Sequence, residues 1–232
     1  MKKEKYIFNA EKLVQWKKNK GRYNFDTAPR HFIFFQNTHI HKSWQLFFKK
    51  KLKGLPCKAI FLNRQTGLAY NLGLGAPAVI NLMEELRVLG TKHFYFIGYG
   101  GRLNPNIREN DIYFINEAYS LNGITDFYSK SKKIIQPRQC PLKFKNAKIV
   151  STDAIFQETQ KLINYFKQKK FDLIDMESAA ILSFANKYGL DAFIYIIAAD
   201  NLSSNDIWQA PEDYQKLIKT GNDLIKKLLK VI

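Results

Sequence analysis

Cysteine is nearly absent: the chain has two in 232 residues, Cys57 and Cys140. They lie far apart, without the close spacing of a zinc site or a disulfide framework, so neither a metal nor a crosslink is implied and both thiols are expected to be reduced. Long apolar runs are missing too. No stretch reaches the roughly 18 apolar residues that a spanning helix needs, and the start Met1-Lys2-Lys3-Glu4-Lys5 lacks the apolar region and cleavage site of a secretion signal. A cytoplasmic protein without a membrane partner is expected. Acidic residues are the third shortage, 20 Asp and Glu against 37 Lys and Arg, for a formal charge of +17. Such a field attracts phosphate-bearing molecules from a distance. Much of the excess is lysine in short runs, as at Lys17, Lys18 and Lys20, which suits a solvated face. No recognised nucleic-acid module accompanies the charge, so nucleic acid is not the expected partner.

What is present is apolar and periodic. Hydrophobic residues make up 46% of the chain, enough for a sizeable core in one domain. Residues 1–30 read as a basic N-terminal extension with one helix over 10–18, and 31–232 as a single α/β domain. Strand-type runs stand at 31–35 and 57–62. Val79, Leu82, Met83, Leu86 and Leu89 fall at helical spacing, with Gly90 as a stop. A strand at 93–97 follows at once and enters Gly98-Tyr99-Gly100-Gly101. Strand, helix and strand in that order predict a mixed, mostly parallel sheet flanked by helices. Further along, the pattern predicts a strand over 111–116, an irregular stretch over 120–146, and a helix over 153–169 capped from Ser151 or Thr152. A small-residue helix is expected over 177–188, a buried strand over 192–199 ending on Asp200, and a last helix over 211–231.

Three polar features stand at the ends of apolar elements, where open α/β sheets present ligands. The first is the pair of glycine segments, Gly73-Leu74-Gly75 and Gly98 to Gly101, read as turns that let backbone N–H groups approach an anion or a sugar. Asp175-Met176-Glu177-Ser178 opens a helix, where the dipole alone favours an acid. Asp200 closes eight apolar residues. An unpaired carboxylate leaving a core is costly, and that placement suits a proton donor.

In this order, Gly73-Leu-Gly-Ala-Pro77, the Gly98–Gly101 segment, Ser151-Thr-Asp-Ala-Ile-Phe156, Asp175-Met-Glu-Ser178 and Ala198-Ala-Asp200 resemble the nucleoside phosphorylase superfamily. That group includes purine nucleoside and uridine phosphorylases and hydrolytic nucleosidases, and the resemblance covers about residues 60 to 205. It implies a nucleoside phosphorylase-like fold and cleavage of an N-glycosidic bond. Glu177 matches the glutamate that accepts from the ribose hydroxyls, and Met176 the methionine packed on the sugar. Asp200 matches the acid that assists the leaving base in purine-cleaving members, which tilts the expectation toward a purine. Ile155 and Phe156 match the segment lining the base pocket; an ordinary core role is the alternative for both. Asp175, Gly75, Gly98 and Tyr99 complete the expected substrate-binding set. No metal or organic cofactor is implied. A homo-oligomer, dimer or hexamer, is implied by resemblance only.

The chain departs from the family where the nucleophile would be held. Phosphorylases of this group use an early Gly-Asp-Pro-x-Arg segment and an arginine and hydroxyl near the glycine segment. Here 36–42 reads Gln-Asn-Thr-His-Ile-His-Lys, and Phe96 and Tyr99 stand at the other two positions. Losing arginines removes charge-assisted bidentate contacts to a phosphate dianion. His39, His41, Lys42, Arg64 and Arg102 are the candidates to replace them. The glutamate that activates water in hydrolytic relatives has no counterpart either, since no Glu lies between Asp26 and Glu84. Phosphorolysis with inorganic phosphate as co-substrate is the leading expectation. Its rivals are hydrolysis and a non-catalytic nucleoside or nucleotide sensor.

Overall fold

Alternation along the strands decides the layering. The computed structural model describes residues 6–40, 50–203 and 207–232. In β1 (His31–Phe35), Phe32 and Phe34 enter one buried cluster while Ile33 and Phe35 enter another on the opposite face. Taking β2 as Lys58–Phe61 and β3 as Thr66–Tyr70, the next strand, β4 (His93–Arg102), divides in the same way: Phe94 and Phe96 to one side, Tyr95 and Ile97 to the other. Strands covered on both faces read as continuous apolar runs, and that is why these were visible in the sequence.

Five more strands complete one mixed sheet: β5 (Ile112–Ser120), β6 (Lys133–Ile135), β7 (Lys145–Ser151), β8 (Leu173–Asp175) and β9 (Asp191–Asn201). The order is β2-β3-β1-β4-β8-β7-β5-β6, with β9 pairing both β4 and β5. The pairs β4–β9–β5–β7–β8–β4 therefore close a ring. Parallel pairs join β1 to β3 and β4, β4 to β9, β5 to β7 and β7 to β8; the pairs β2–β3, β4–β8, β5–β6 and β5–β9 are antiparallel. The mixed, mostly parallel sheet flanked by helices expected from the sequence is present.

Helices α1 (Ala10–Asn19) and α2 (Ala76–Val88) cover one face, α3 (Gln160–Gln168) packs on a smaller cluster with Val150 and Ile174, α4 (Ser178–Tyr188) joins the first pair, and α5 (Tyr214–Leu228) covers the opposite face. The N-terminal segment is docked on the sheet's helical layer. Val14 is buried in the cluster of α2, and Lys17 Nζ lies 2.7 Å from the buried Glu85 carboxylate, which also accepts from the Tyr23 hydroxyl. Among the described residues no helix is long and apolar enough to cross a membrane.

Two helices start later than the pattern predicted, for reasons visible in their caps. The helix expected from 153 begins at Gln160, because the Asp153 carboxylate holds Asn122 Nδ2 at 2.8 Å and Gly123 N at 2.7 Å, leaving Thr159 as the cap. The last helix begins at Tyr214 rather than 211, where Asp213 Oδ1 accepts from Lys216 N at 3.0 Å. Inside the stretch read as irregular, β6 pairs with β5.

Gly98 to Gly101 is not a turn. It lies within β4, whose pairing with β9 runs through Gly100, and glycine is required there by crowding. A Cβ on Gly98 would sit 2.5 Å from the Phe96 ring, and one on Gly100 would meet Ile196 Cγ2 at 2.8 Å and the Ile174 main-chain oxygen at 3.1 Å. Because one of these neighbours is backbone, Gly100→Ala should destabilise by ~1–3 kcal/mol. Thermal unfolding should show a Tm lowered by roughly 2–4 °C for each kcal/mol lost.

Candidate active site

The C-terminal ends of β1, β3, β4 and β9 and the turn after β8 surround one cleft of about 940 Å³. That is the end of a parallel sheet where ligands bind, and the volume suits a small molecule. Of the residues expected from the sequence, Tyr99, Ile155, Phe156, Asp175, Met176, Glu177 and Asp200 line it. Gly75 and Gly98 do not; both are buried behind the wall.

Glu177 sits at the N-cap of α4 and is 4% exposed. Its Oε1 accepts from Gly75 N at 2.8 Å. Gly75 caps α2 with φ 87°, a left-handed value that favours glycine, and a Cβ there would come within 3.7 Å of Met176 Cε. Gly75 thus supports Glu177 and Met176 from behind. Burial, reinforced by the neighbouring Asp175 charge, pushes the Glu177 carboxyl up to about 8, against the lowering effect of the Gly75 and Met176 backbone donors.

Asp175 plays a different part. Ser151 Oγ donates to its Oδ1 at 2.5 Å, while Ser178 N, at 2.9 Å, and the Ser178 hydroxyl both donate to Oδ2. Burial raises its pKa and these donors oppose the rise. With both oxygens engaged, Asp175 fixes the turn that presents Met176 and Glu177.

Asp200 ends the apolar run of β9, half-buried, with its Oδ2 accepting from Trp208 Nε1 at 2.9 Å. The acid that seemed unpaired in sequence has an indole partner eight residues on. Gly101 leaves space for it: a Cβ there would lie 3.2 Å from Asp200 Oδ2. A second carboxylate, Glu158, shares the cleft. Its Oε1 accepts from Thr152 Oγ1 at 3.1 Å, and burial, then the Asp200 charge, raises its pKa against that hydrogen bond.

Ile155 and Phe156 occupy a single 3-10 turn before α3 and are 40% and 93% exposed. An ordinary core role is thereby ruled out for Phe156. Among apolar residues such as Leu72, Ile174 and Leu217, the wall also carries three polar groups that gave no clear signal in sequence: Gln36, Asn37 and Asn71. Asn37 Nδ2 donates to the Tyr99 hydroxyl at 3.0 Å, Gln36 Nε2 to Gly73 O at 2.7 Å, and Asn71 N to Asn37 O at 2.7 Å, with Asn71 itself at φ 57°. Glu158 and Trp208 were also missed, because neither follows an apolar run directly.

Three of the candidate cations stand elsewhere. Arg64 is exposed in the β2–β3 turn, His39 pairs with Thr38, and Arg102 reaches Glu109 at 3.6 Å and the Asp200 main-chain oxygen at 3.4 Å; none lines the cleft. His41 and Lys42 lie outside the described residues. Among the described residues, no cluster of three or more His, Cys, Asp or Glu could hold a metal ion.

An α/β sheet with a carboxylate-lined cleft at its strand ends defines a small-molecule site, and comparison with known proteins gives its family. Residues 58–230 match the model of the phosphorylase superfamily, and the chain belongs to that superfamily. It is 24% identical to a DeoD-type purine nucleoside phosphorylase of Caldanaerobacter subterraneus subsp. tengcongensis, over 68% of this chain and 73% of that protein. It is 25% identical to a uridine phosphorylase of Thermococcus kodakarensis, over 63% of this chain and 62% of that one. The fold matches a crystal structure of purine nucleoside phosphorylase from Toxoplasma gondii in complex with immucillin-H, with a TM-score of 0.70, 16% identity, and coverage of 89% and 90% of the two chains.

Proposed function

We propose that this protein cleaves the N-glycosidic bond of a nucleoside, a purine nucleoside in preference, and releases the free base. The observation that carries the reading is the juxtaposition of Glu177 and Asp200 in one cleft. Glu177 accepts from the vicinal ribose hydroxyls, and Met176 beside it gives the sugar an apolar floor. Asp200 protonates the departing base, the role that favours a purine, whose imidazole ring offers a basic nitrogen. The exposed ring of Phe156 at the rim is free to stack on that base.

Two acceptors for the ribosyl group are compatible with this chemistry. Phosphate is the acceptor of the relatives named above; water is favoured by the absence of any Lys, Arg or His among the described residues lining the cleft.

The test is base release from a panel of purine and pyrimidine nucleosides, with ribose recognition probed in parallel. Wild type should release base from a purine ribonucleoside. The analogue lacking both the 2′ and 3′ hydroxyls should bind ~10- to 100-fold more weakly, the worth of hydrogen bonds to a charged acceptor. Glu177→Ala should erase that discrimination. Tight nucleoside binding with no release from any member of the panel would turn the reading into that of a sensor.

A further inference from the structure

Two acids in the cleft are held in the same manner. Asp200 is held through Oδ2 by Trp208 Nε1 at 2.9 Å, and Glu158 through Oε1 by Thr152 Oγ1 at 3.1 Å, so each keeps one carboxyl oxygen with no hydrogen bond among the described residues. Thr152 is itself fixed: it is buried, and its N–H donates to Asp175 O at 2.9 Å, at the strand end that presents Met176 and Glu177. Glu158 therefore hangs from the rigid part of the site. Standing just before the Thr159 cap of α3, it gains from the helix dipole. A dipole is served equally well from solvent, however, and does not account for a half-buried carboxylate lining the cleft.

The local chain explains where Glu158 stands relative to a base. Its N–H donates to Ile155 O at 3.4 Å and so closes the 3-10 turn that carries Phe156. The ring offered to the face of the base and the carboxylate offered to its edge come from one turn. Asp200 is near enough for its charge to raise the Glu158 pKa, adding to the larger effect of burial. Like charges in one cleft disfavour the doubly ionised state, so the pair is best satisfied with a single proton. With one proton it presents one donor and one acceptor.

Adenine carries the complement of that arrangement. Along its N7 edge lie an acceptor, N7, and a donor, the 6-amino group, whereas guanine offers two acceptors there, N7 and O6, and so does hypoxanthine. With Asp200 donating to N7, an ionised Glu158 is matched to an amine and repelled by a carbonyl oxygen.

We propose that Glu158 selects the base: its free Oε2 accepts from the exocyclic amine of a 6-aminopurine, so that the site takes adenosine ahead of the 6-oxopurine nucleosides inosine and guanosine. This deepens the cleavage reading and rests on it, with Asp200 at N7 and Phe156 on the ring. Glu158 exchanges no proton with the base; it determines specificity, and the Thr152 hydroxyl keeps it aimed.

The experiment compares kcat/KM for base release from adenosine, inosine and purine riboside, which has no 6-substituent, in wild type and Glu158→Gln. Wild type should favour adenosine over inosine by ~10- to 100-fold, the discrimination typical of a paired contact to a base edge. A Gln amide can turn either its oxygen or its N–H₂ toward the base, so Glu158→Gln should lower adenosine cleavage, raise inosine cleavage and bring the two within about threefold of each other. Purine riboside, with no amine to lose, should suffer less than adenosine. Wild type that prefers inosine, or a variant that slows all three substrates alike, overturns the proposal and leaves glycosidic cleavage intact. The wild-type order of substrates decides the matter even if Glu158→Gln fails to fold. If no nucleoside is cleaved, the cleavage reading fails by itself; calorimetric binding of adenosine and inosine then tests Glu158, and equal affinities overturn its role.

Discussion

Nucleoside affinity should rise with pH up to about 8 and then level, and Glu177→Gln should both weaken binding and flatten that profile. In the free protein, burial beside Asp175 keeps a proton on Glu177 to about 8. Two ribose hydroxyls donating to the carboxylate favour its charged form, so binding lowers the pKa and releases the proton. Below about 8 that release opposes binding, by up to tenfold in Kd per pH unit. Calorimetry at several pH values in buffers of different ionisation heat would count the proton; a wild-type profile as flat as that of the variant would rule out Glu177 as the ribose acceptor. The same group acts on the empty protein with a definite sign. An unfolded Glu ionises near 4.5 and burial raises the folded one to about 8, so between those values unfolding releases a proton and stability falls as pH rises. Above about 8 the loss is complete. Glu177→Gln removes that slope, and its empty form should melt higher than wild type at alkaline pH while binding nucleoside worse, a stability gained at the expense of function.

How much of this could be read in the sequence depended on whether a residue's reason for being there was local. Central strands announced themselves because both faces are buried, as in the Phe32 to Phe35 run and in β9. β3 did not, since Thr-Gly-Leu-Ala-Tyr has little strand propensity; its Gly67 is there because a Cβ would meet the Phe32 ring at 2.7 Å, a fact about a different strand. The Gly98 to Gly101 segment was legible as special but was misread as a turn, because glycine required by crowding and glycine required by a left-handed φ look the same in one dimension. Asp175, Met176 and Glu177 were found together through resemblance and the start of a helix, but not their division of labour, which depends on Ser151, 24 residues away, holding Asp175. Glu158 and Trp208 were invisible for the same reason: each matters through its relation to Asp200, which is set by where β7, β9 and the chain beyond them come together.

Replacing Asp200 by Asn should reduce base release from purine nucleosides by ~10²- to 10⁴-fold, the range typical of a positioned proton donor, with nucleoside binding changed far less. The substitution keeps the shape and can still accept from Trp208 Nε1, but it removes the proton that the base needs as it leaves. A ribosyl compound whose leaving group needs no proton, such as p-nitrophenyl riboside, should therefore lose much less. That contrast separates a leaving-group acid from a residue that merely shapes the cleft, because misshaping slows both substrates alike. Trp208→Phe should behave as a weaker version of the same defect: the 2.9 Å bond that aims Oδ2 is lost while the acid stays, so the purine rate should fall by about tenfold and the p-nitrophenyl rate hardly at all. Equal losses on the two substrates in Asp200→Asn would remove Asp200 from the chemistry and leave ribose recognition by Glu177 as the one function the cleft retains.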